Sequence, residues 1–202
     1  MRRLRQFKSS GFTVAEICIS LLILALIVGA SIPLISRYRG RTGVNRGIEV
    51  CKAVVERAVE EAKTAGSPLP SSLKAGLPVA SASNSPVDTA VAVRVRKRIR
   101  PSTEPILVTE KSLSTTVNTR LTFLQMGQVD IDADQSLTGF YVEFIAKPAG
   151  GPPQLLASLP IDVNGEIALV PDAATAVVSL EYDNYQRNLE FTANGNVVLD
   201  RR

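Results

Sequence analysis

A run of 19 residues without a charge, Ile17–Ile35, constrains this chain more than any other feature of its sequence. As a helix, the run would be about 28 Å long, close to the ~30 Å thickness of the hydrocarbon core of a bilayer. A basic segment precedes it, and Glu16 stands at its edge. The sequence therefore predicts a membrane-inserted helix. The length of 202 residues allows one ordinary domain in addition to it.

The net charge of +4 lies entirely in the first 11 residues, which hold four basic side chains and no acid. The remaining chain has 23 − 4 = 19 basic and 19 acidic residues, so global charge gives no argument for a nucleic-acid partner. The chain has no histidine, the commonest general base and metal ligand. On one helix, Cys18 and Cys51 would lie about 50 Å apart, which excludes a disulfide between them within one chain.

Two simple interpretations of the N-terminal stretch are a plain membrane anchor and a secretory signal peptide. The small residues at 28–30 would suit a signal-peptide cleavage site. Glu16 argues against both interpretations, because an unpaired carboxylate at membrane depth costs about 2.5–3.5 kcal/mol. In addition, the helical pattern continues beyond the apolar run, which a cleaved signal peptide would not require.

The segment Lys8-Ser9-Ser10-Gly11-Phe12-Thr13-Val14-Ala15-Glu16 resembles the class III leader of type IV pilins and type II secretion pseudopilins. The resemblance implies that a prepilin peptidase cleaves the Gly11–Phe12 bond and that the amine of Phe12 is methylated. It also implies that Glu16 neutralises the N-terminal amine of a neighbouring subunit, or its own, in the filament core. Pro33, at 33 − 11 = 22 residues into the mature chain, matches a proline of many family members.

The resemblance and the composition together predict five segments. They are a basic prepilin leader (1–11), a transmembrane and filament-core helix (12–36), an amphipathic helix continuing into the head (37–65), a Ser/Pro/Gly-rich loop (66–88) and a β-rich globular head (89–202). Glycine and arginine weaken the helix over 37–47, so this part is expected to be flexible or partly melted. From Val44 the apolar residues recur at helical spacing, and Cys51 is predicted to be a small core residue between helix and head.

From Thr89 onward the apolar period changes to two, which is typical of strands. Nine strands are predicted: 89–100, 106–110, 117–125, 137–147, 154–163, 166–170, 174–183, 188–192 and 196–200. No helix separates them, so the sheet should be mainly antiparallel. Asn164-Gly165 and Asn194-Gly195 predict tight hairpins. The predicted fold class is α+β, with a long N-terminal transmembrane and amphipathic helix packed on a mainly antiparallel, pilin-like head.

The most basic segment of the head places four arginines on one face of a predicted strand: Arg94, Arg96, Arg98 and Arg100. One interpretation is a phosphate-binding stripe about 20 Å long, suited to DNA or a membrane surface. The favoured interpretation is a solvated edge strand whose charges prevent aggregation, because no aromatic residues interleave for base stacking.

The alternating carboxylates of Asp130, Asp132 and Asp134 are similar to those of a calcium loop. However, Gln135 stands where such a loop has glycine, and Tyr141 stands where it has the bidentate acid. A polar turn is therefore favoured, and no metal or cofactor is predicted. The sequence also has no nucleophile–base pair and no phosphate loop, so no enzymatic activity is predicted.

The sequence thus predicts a pilin-like structural subunit, a minor pilin or pseudopilin, that assembles through its N-terminal helix into a type IV pilus or type II secretion pseudopilus. The expected partners are other subunits, the prepilin peptidase, an inner-membrane assembly platform and membrane lipid. The expected location is the inner membrane, crossed once, with the head outside the cytoplasm, and then the filament. Two alternatives stay open. One is a competence-type minor pilin that binds DNA through Arg94–Arg100, and the other is a secreted enzyme or binding protein behind an ordinary signal peptide.

Overall fold

The computed structural model describes residues 13–66, 90–113, 119–148, 150–171 and 173–200. The predicted leader and nearly all of the predicted 66–88 loop lie outside these residues. The chain divides into two compact units, Met1–Arg39 and Gly40–Arg202. The described residues form one helix and eight strands.

The helix, α1, runs without interruption over Val14–Ala65, a length of 52 residues. The expectation that the segment 37–47 is partly melted is therefore wrong, and its flexibility stays a prediction. Gly40 and Gly47 are buried, and a Cβ on Gly40 would overlap the ring of Tyr182. The two glycines let the helix approach the sheet closely, and this packing outweighs their helix penalty of about 1 kcal/mol each.

The strands form two antiparallel sheets of four strands each. Sheet A has the order β2-β1-β4-β5, and sheet B has the order β3-β6-β7-β8. The strands are β1 (Ala90–Arg98), β2 (Ile106–Leu113), β3 (Thr119–Leu124), β4 (Gly139–Lys147), β5 (Gln154–Ile161), β6 (Thr175–Tyr182), β7 (Tyr185–Thr192) and β8 (Val197–Leu199). The predicted α+β class and the antiparallel pairing are confirmed.

Both turns predicted from the Asn-Gly pairs are present. The amide of Gly165 donates to the carbonyl of Asp162, and the amide of Gly195 donates to that of Thr192, each at 3.0 Å. Both glycines have left-handed backbone, with φ of 77° and 78°. The predicted strand 166–170, however, is reduced to one bridge at Ile167. The amide of Ile167 donates to Ala193 in the β7–β8 turn, and the amide of Ala168 donates to Pro160 in β5. The segment therefore forms no continuous ladder with either neighbour.

One face of α1 packs against the two sheets in the main core of the head. The helical positions predicted to be apolar contacts are all buried, namely Val44, Ile48, Cys51, Val55, Ala58 and Ala62. Burial raises the pKa of the Cys51 thiol to about 12, as expected for a thiol inside an apolar core. The prediction of Cys51 as a core residue is confirmed.

A second, smaller cluster covers the opposite face of sheet A. Tyr141 of β4 packs there with Val129, Ile131, Leu137 and Val170. Strand β4 is therefore buried on both faces. The segment 128–138, which contains the three aspartates, is the cover of this face.

We expect Gly40→Ala to lower the free energy of unfolding of the head by about 1–3 kcal/mol, because the new methyl group overlaps the Tyr182 ring. Urea denaturation followed by circular dichroism measures this change. Gly29→Ala is the matched control, since it makes the same substitution in α1 at a position with no atom within 4 Å of the new Cβ. Equal stability of the two variants would contradict the close-packing role of Gly40.

Candidate functional site

The first part of α1 exposes an apolar surface. Residues 14–39 are exposed except for the half-buried Ser31. Among the described residues, this is the one helix long and apolar enough to cross a membrane, and none of its apolar window is buried in the protein. Apolar surfaces of this extent mark contact with lipid or with other proteins.

Glu16 lies in the first turn of α1 and closes a capping box with Thr13. The amide and the hydroxyl of Thr13 both donate to Oε2 of Glu16, at 2.8 and 2.9 Å, and the Glu16 amide donates to the Thr13 hydroxyl at 3.3 Å. These reciprocal bonds satisfy free amides at the start of a helix. The sequence signal for this role is Thr-x-x-Glu, the spacing of a capping box. The cleavage residues Gly11 and Phe12 lie outside the described residues.

Pro33 lies inside α1, and the helix continues on both sides of it. A proline has no amide hydrogen, so the carbonyl four residues earlier loses its usual donor. Two serine hydroxyls bond to helix carbonyls near this position. Ser31 donates to Ile27 at 2.6 Å, and Ser36 donates to Pro33 at 2.9 Å. The role in assembly predicted for Pro33 stays a prediction.

The arginine strand β1 lies inside sheet A, paired with β2 on one side and with β4 on the other. The interpretation of this segment as a solvated edge strand is therefore wrong. Alternation alone cannot distinguish an interior strand from an edge strand, because both have period two. What makes an interior position tolerable for the arginines is a set of acceptors provided by β4 and by the segment 128–138.

Glu143 of β4 is fully buried and binds two arginines of β1. Arg94 Nε lies 2.6 Å from Oε2 of Glu143, and Arg96 donates to both oxygens of the same carboxylate at 2.7 Å. Arg96 also donates through Nη1 to both oxygens of Asp132, at 2.9 and 2.8 Å. The cluster of Arg94, Arg96, Glu143 and Asp132 has two charges of each sign and fastens the segment 128–138 to sheet A.

The pKa of Arg96 reflects two opposing effects. Burial acts to lower it, but hydrogen bonds and attraction from Glu143 and Asp132 outweigh burial and hold the pKa above its ordinary value. Arg96 thus keeps its charge inside the protein. Sequence reasoning missed Glu143 as its partner. The available signal was a single carboxylate within the otherwise apolar stretch 140–146.

The remaining two arginines differ in environment. Arg98 is 3% exposed, and its Nη1 donates to the carbonyls of Asp134 and Leu137 at 2.7 and 3.3 Å. Arg100 follows the strand and is exposed. Three of the four arginines predicted as a phosphate stripe are therefore bound to protein groups. Nothing in this geometry favours DNA binding, which stays a prediction.

The aspartates of the segment 128–138 are engaged in local hydrogen bonds. Asp130 accepts from the Asp132 amide at 2.9 Å, and Asp134 accepts from the amide and the hydroxyl of Ser136 at 2.9 and 2.7 Å. The hydrogen bonds from Ser136 hold the pKa of Asp134 below its ordinary value. Over the described ranges, no group of three potential metal-ligating side chains comes together. The segment has the hydrogen bonding of a polar turn.

We expect Glu143→Gln to cost about 3–5 kcal/mol of stability, because it removes the carboxylate that pairs with the half-buried Arg94 and one of the two that pair with the buried Arg96. Denaturant unfolding of the full chain in detergent, followed by circular dichroism, measures the loss. Glu49→Gln is the control. Glu49 is exposed, and its substitution should change stability by less than about 0.5 kcal/mol. A loss below about 1 kcal/mol for Glu143→Gln would show that the cluster is not needed for the fold.

Two features of the described residues are candidates for a function, namely the exposed apolar part of α1 with its capping box and the arginine–carboxylate cluster of the head. Comparison of the chain with protein-family models, with curated proteins and with solved structures finds no match. The function is therefore inferred from the leader motif and from the geometry of these elements.

Proposed function

We propose that the chain is a pilin-like structural subunit, a minor pilin or pseudopilin of a type IV pilus or type II secretion pseudopilus. The observation that carries the proposal is the difference between the two parts of α1. It is one continuous helix with an exposed apolar surface in its first part and a face buried in the core of the head in its second part. The leader motif that precedes it supports the same assignment.

In this proposal, the prepilin peptidase removes residues 1–11, and α1 then holds the subunit in the inner membrane with the head outside the cytoplasm. An assembly platform extracts the subunit into the filament. Extraction removes the apolar side chains of α1 from lipid and covers them with the helices of neighbouring subunits. Helix packing of this kind offsets the loss of lipid contact.

The geometry of Glu16 supports a part in that assembly. Both hydrogen bonds from Thr13 to the carboxylate end on Oε2, which leaves Oε1 to accept from a cation. A charge in a water-poor helix bundle needs a partner of opposite sign. We propose that the partner is the amine of Phe12 of a neighbouring subunit and that the capping box holds the carboxylate in place for it.

The proposal makes the chain a substrate of the prepilin peptidase rather than an enzyme. The DNA-binding alternative requires that DNA binds to the head in a salt-dependent way. The exposed Arg100 and its neighbours would have to provide this binding. The alternative of a secreted protein behind a signal peptide requires that a peptidase cleaves the chain within α1. The signal-peptide alternative is an outcome of the first experiment that follows, and salt-dependent DNA binding by the head would favour the other.

We expect the mature protein to begin at Phe12 with a methylated amine, as measured by mass spectrometry of the N-terminal peptide. A Gly11→Leu variant should keep residues 1–11, because the resemblance places the scissile bond after Gly11. Gly29→Ala, which changes a glycine in open space, should be processed like the unaltered chain. A mature start at Ser31 would show signal-peptidase cleavage and contradict the proposal.

Two substitutions separate the charge of Glu16 from its capping role. Glu16→Gln removes the charge but can still complete a capping box, whereas Thr13→Val removes the capping hydroxyl and keeps the charge. We expect Glu16→Gln to reduce incorporation into sheared filaments about tenfold, which corresponds to the loss of one charge pair. Thr13→Val should retain most of the incorporation. Immunoblots of the filament fraction, normalised to membrane protein, provide the measurement. Unreduced incorporation of Glu16→Gln together with a loss in Thr13→Val would assign the effect to capping alone and contradict the charge pair.

A further inference from the structure

A small cavity lies beside the turn that joins β1 to β2. Its volume is about 170 Å³, and its walls come from Arg98 at the end of β1, from residues 102–105 of the turn, and from Asp132 and Gln135 of the segment 128–138. The amide of Ser102 donates to the carbonyl of Gln135 at 2.8 Å, which joins the two walls. Ser102 has left-handed backbone with φ of 62°, a conformation that is costly for a residue with a side chain.

Arg98 is the buried cation of this cavity. Within the described residues, its guanidinium donates from Nη1 to two carbonyl oxygens, and its Nε is buried without a hydrogen-bond partner there. The salt bridges formed by the described carboxylates include Arg94 and Arg96 but not Arg98. The carboxylate of Asp134 attracts Arg98 from a distance but forms no salt bridge with it. An anion bound directly beside the guanidinium would therefore relieve part of the cost of burying its charge.

The free edge of the guanidinium has a defined shape. Because Nη1 is occupied, Nε and Nη2 remain, and these two nitrogens form the planar side-on fork that matches both oxygens of a carboxylate. The charges of the walls limit the ligand further. Asp132 is already paired with Arg96, but the exposed Glu104 would repel a dianion. A singly charged, planar group fits these walls better than a phosphate does.

We propose that this cavity binds a carboxylate group through the Nε and Nη2 atoms of Arg98. The carboxylate can belong to a small organic acid or to the C-terminus of a peptide, since both present the same planar group. Because Nε is buried and residues 99–104 are exposed, we expect the turn to move outward when the carboxylate enters. The site lies in the head and does not depend on the assembly role proposed for α1.

The direct test follows the Nε–H resonance of Arg98 by NMR in the full chain, labelled with ¹⁵N-arginine and held in detergent micelles. The protein is titrated separately with acetate and with inorganic phosphate, and the two results are compared. It is also titrated with a tripeptide that has a free C-terminal carboxylate and with the C-terminal amide of the same peptide. We expect saturable shifts with acetate and the free-acid peptide, with dissociation constants on the order of 1 mM. Tighter binding of the peptide than of acetate identifies a peptide terminus as the source, and the reverse identifies a small acid. Equal binding of the amide, stronger binding of phosphate, or no saturation by any carboxylate would overturn the proposal.

A pair of variants provides the second measurement. Arg98→Lys keeps the positive charge but removes the fork, so the affinity for the carboxylate should fall by about tenfold or more. Arg100→Lys makes the same change two residues away, outside the cavity, and should leave the affinity unchanged. Unchanged affinity in Arg98→Lys would refute the role of the fork. If Arg98→Lys does not fold, the titrations of the unaltered chain still decide the proposal.

Discussion

The buried face of α1 is the contact on which the head depends. Its small and β-branched residues share one core with side chains of both sheets, and its glycines allow the Tyr182 and Leu180 side chains to reach the helix backbone. Arg41 lies over the ring of Tyr185 at 5.5 Å, and the Tyr185 hydroxyl donates to Asn45 at 2.8 Å. The glycines that make this stretch a poor helix in isolation are the same residues that allow it to pack, so tertiary contact stabilises the helix.

The head has a second constraint at the outer face of sheet A. There a strand of alternating arginines lies in the sheet interior, which would be unfavourable without buried counter-charges. Glu143 and Asp132 supply them, and Tyr141 supplies the apolar centre of the smaller cluster. The charged cluster and the apolar cluster together hold the segment 128–138 on the sheet. The same arrangement leaves Arg98 beside a cavity, and none of the described carboxylates forms a salt bridge with it.

The two parts of α1 have different requirements that one sequence must meet. The first part is apolar on all sides, as a helix in lipid or in a helix bundle needs to be, and the second part is amphipathic, as a helix on a sheet needs to be. The capping box of Thr13 and Glu16 places a carboxylate at the beginning of the helix, where free amides stabilise a negative charge. One residue can thus serve the stability of the helix and the proposed pairing between subunits.

The sequence by itself determined the features that depend on local patterns. The apolar run predicted the exposed apolar part of α1, six apolar positions from Val44 to Ala62 predicted its buried face, and the two Asn-Gly pairs predicted the turns. Eight of the nine predicted strands are present among the described residues. These features could be predicted because hydrophobic periodicity and turn chemistry act over a few neighbouring residues.

Only the tertiary structure decided the features that depend on contacts between distant parts of the chain. Strand β1 lies inside the sheet, and its arginines pair with Glu143 across 47 and 49 residues of chain. The predicted strand 166–170 is reduced to a single bridge. All three features depend on contacts between distant segments. Continuity of α1 through its glycines depends on the sheet packed against it. No local sequence pattern predicts these contacts, because the residues that form them are far apart in the sequence and meet only in the folded protein.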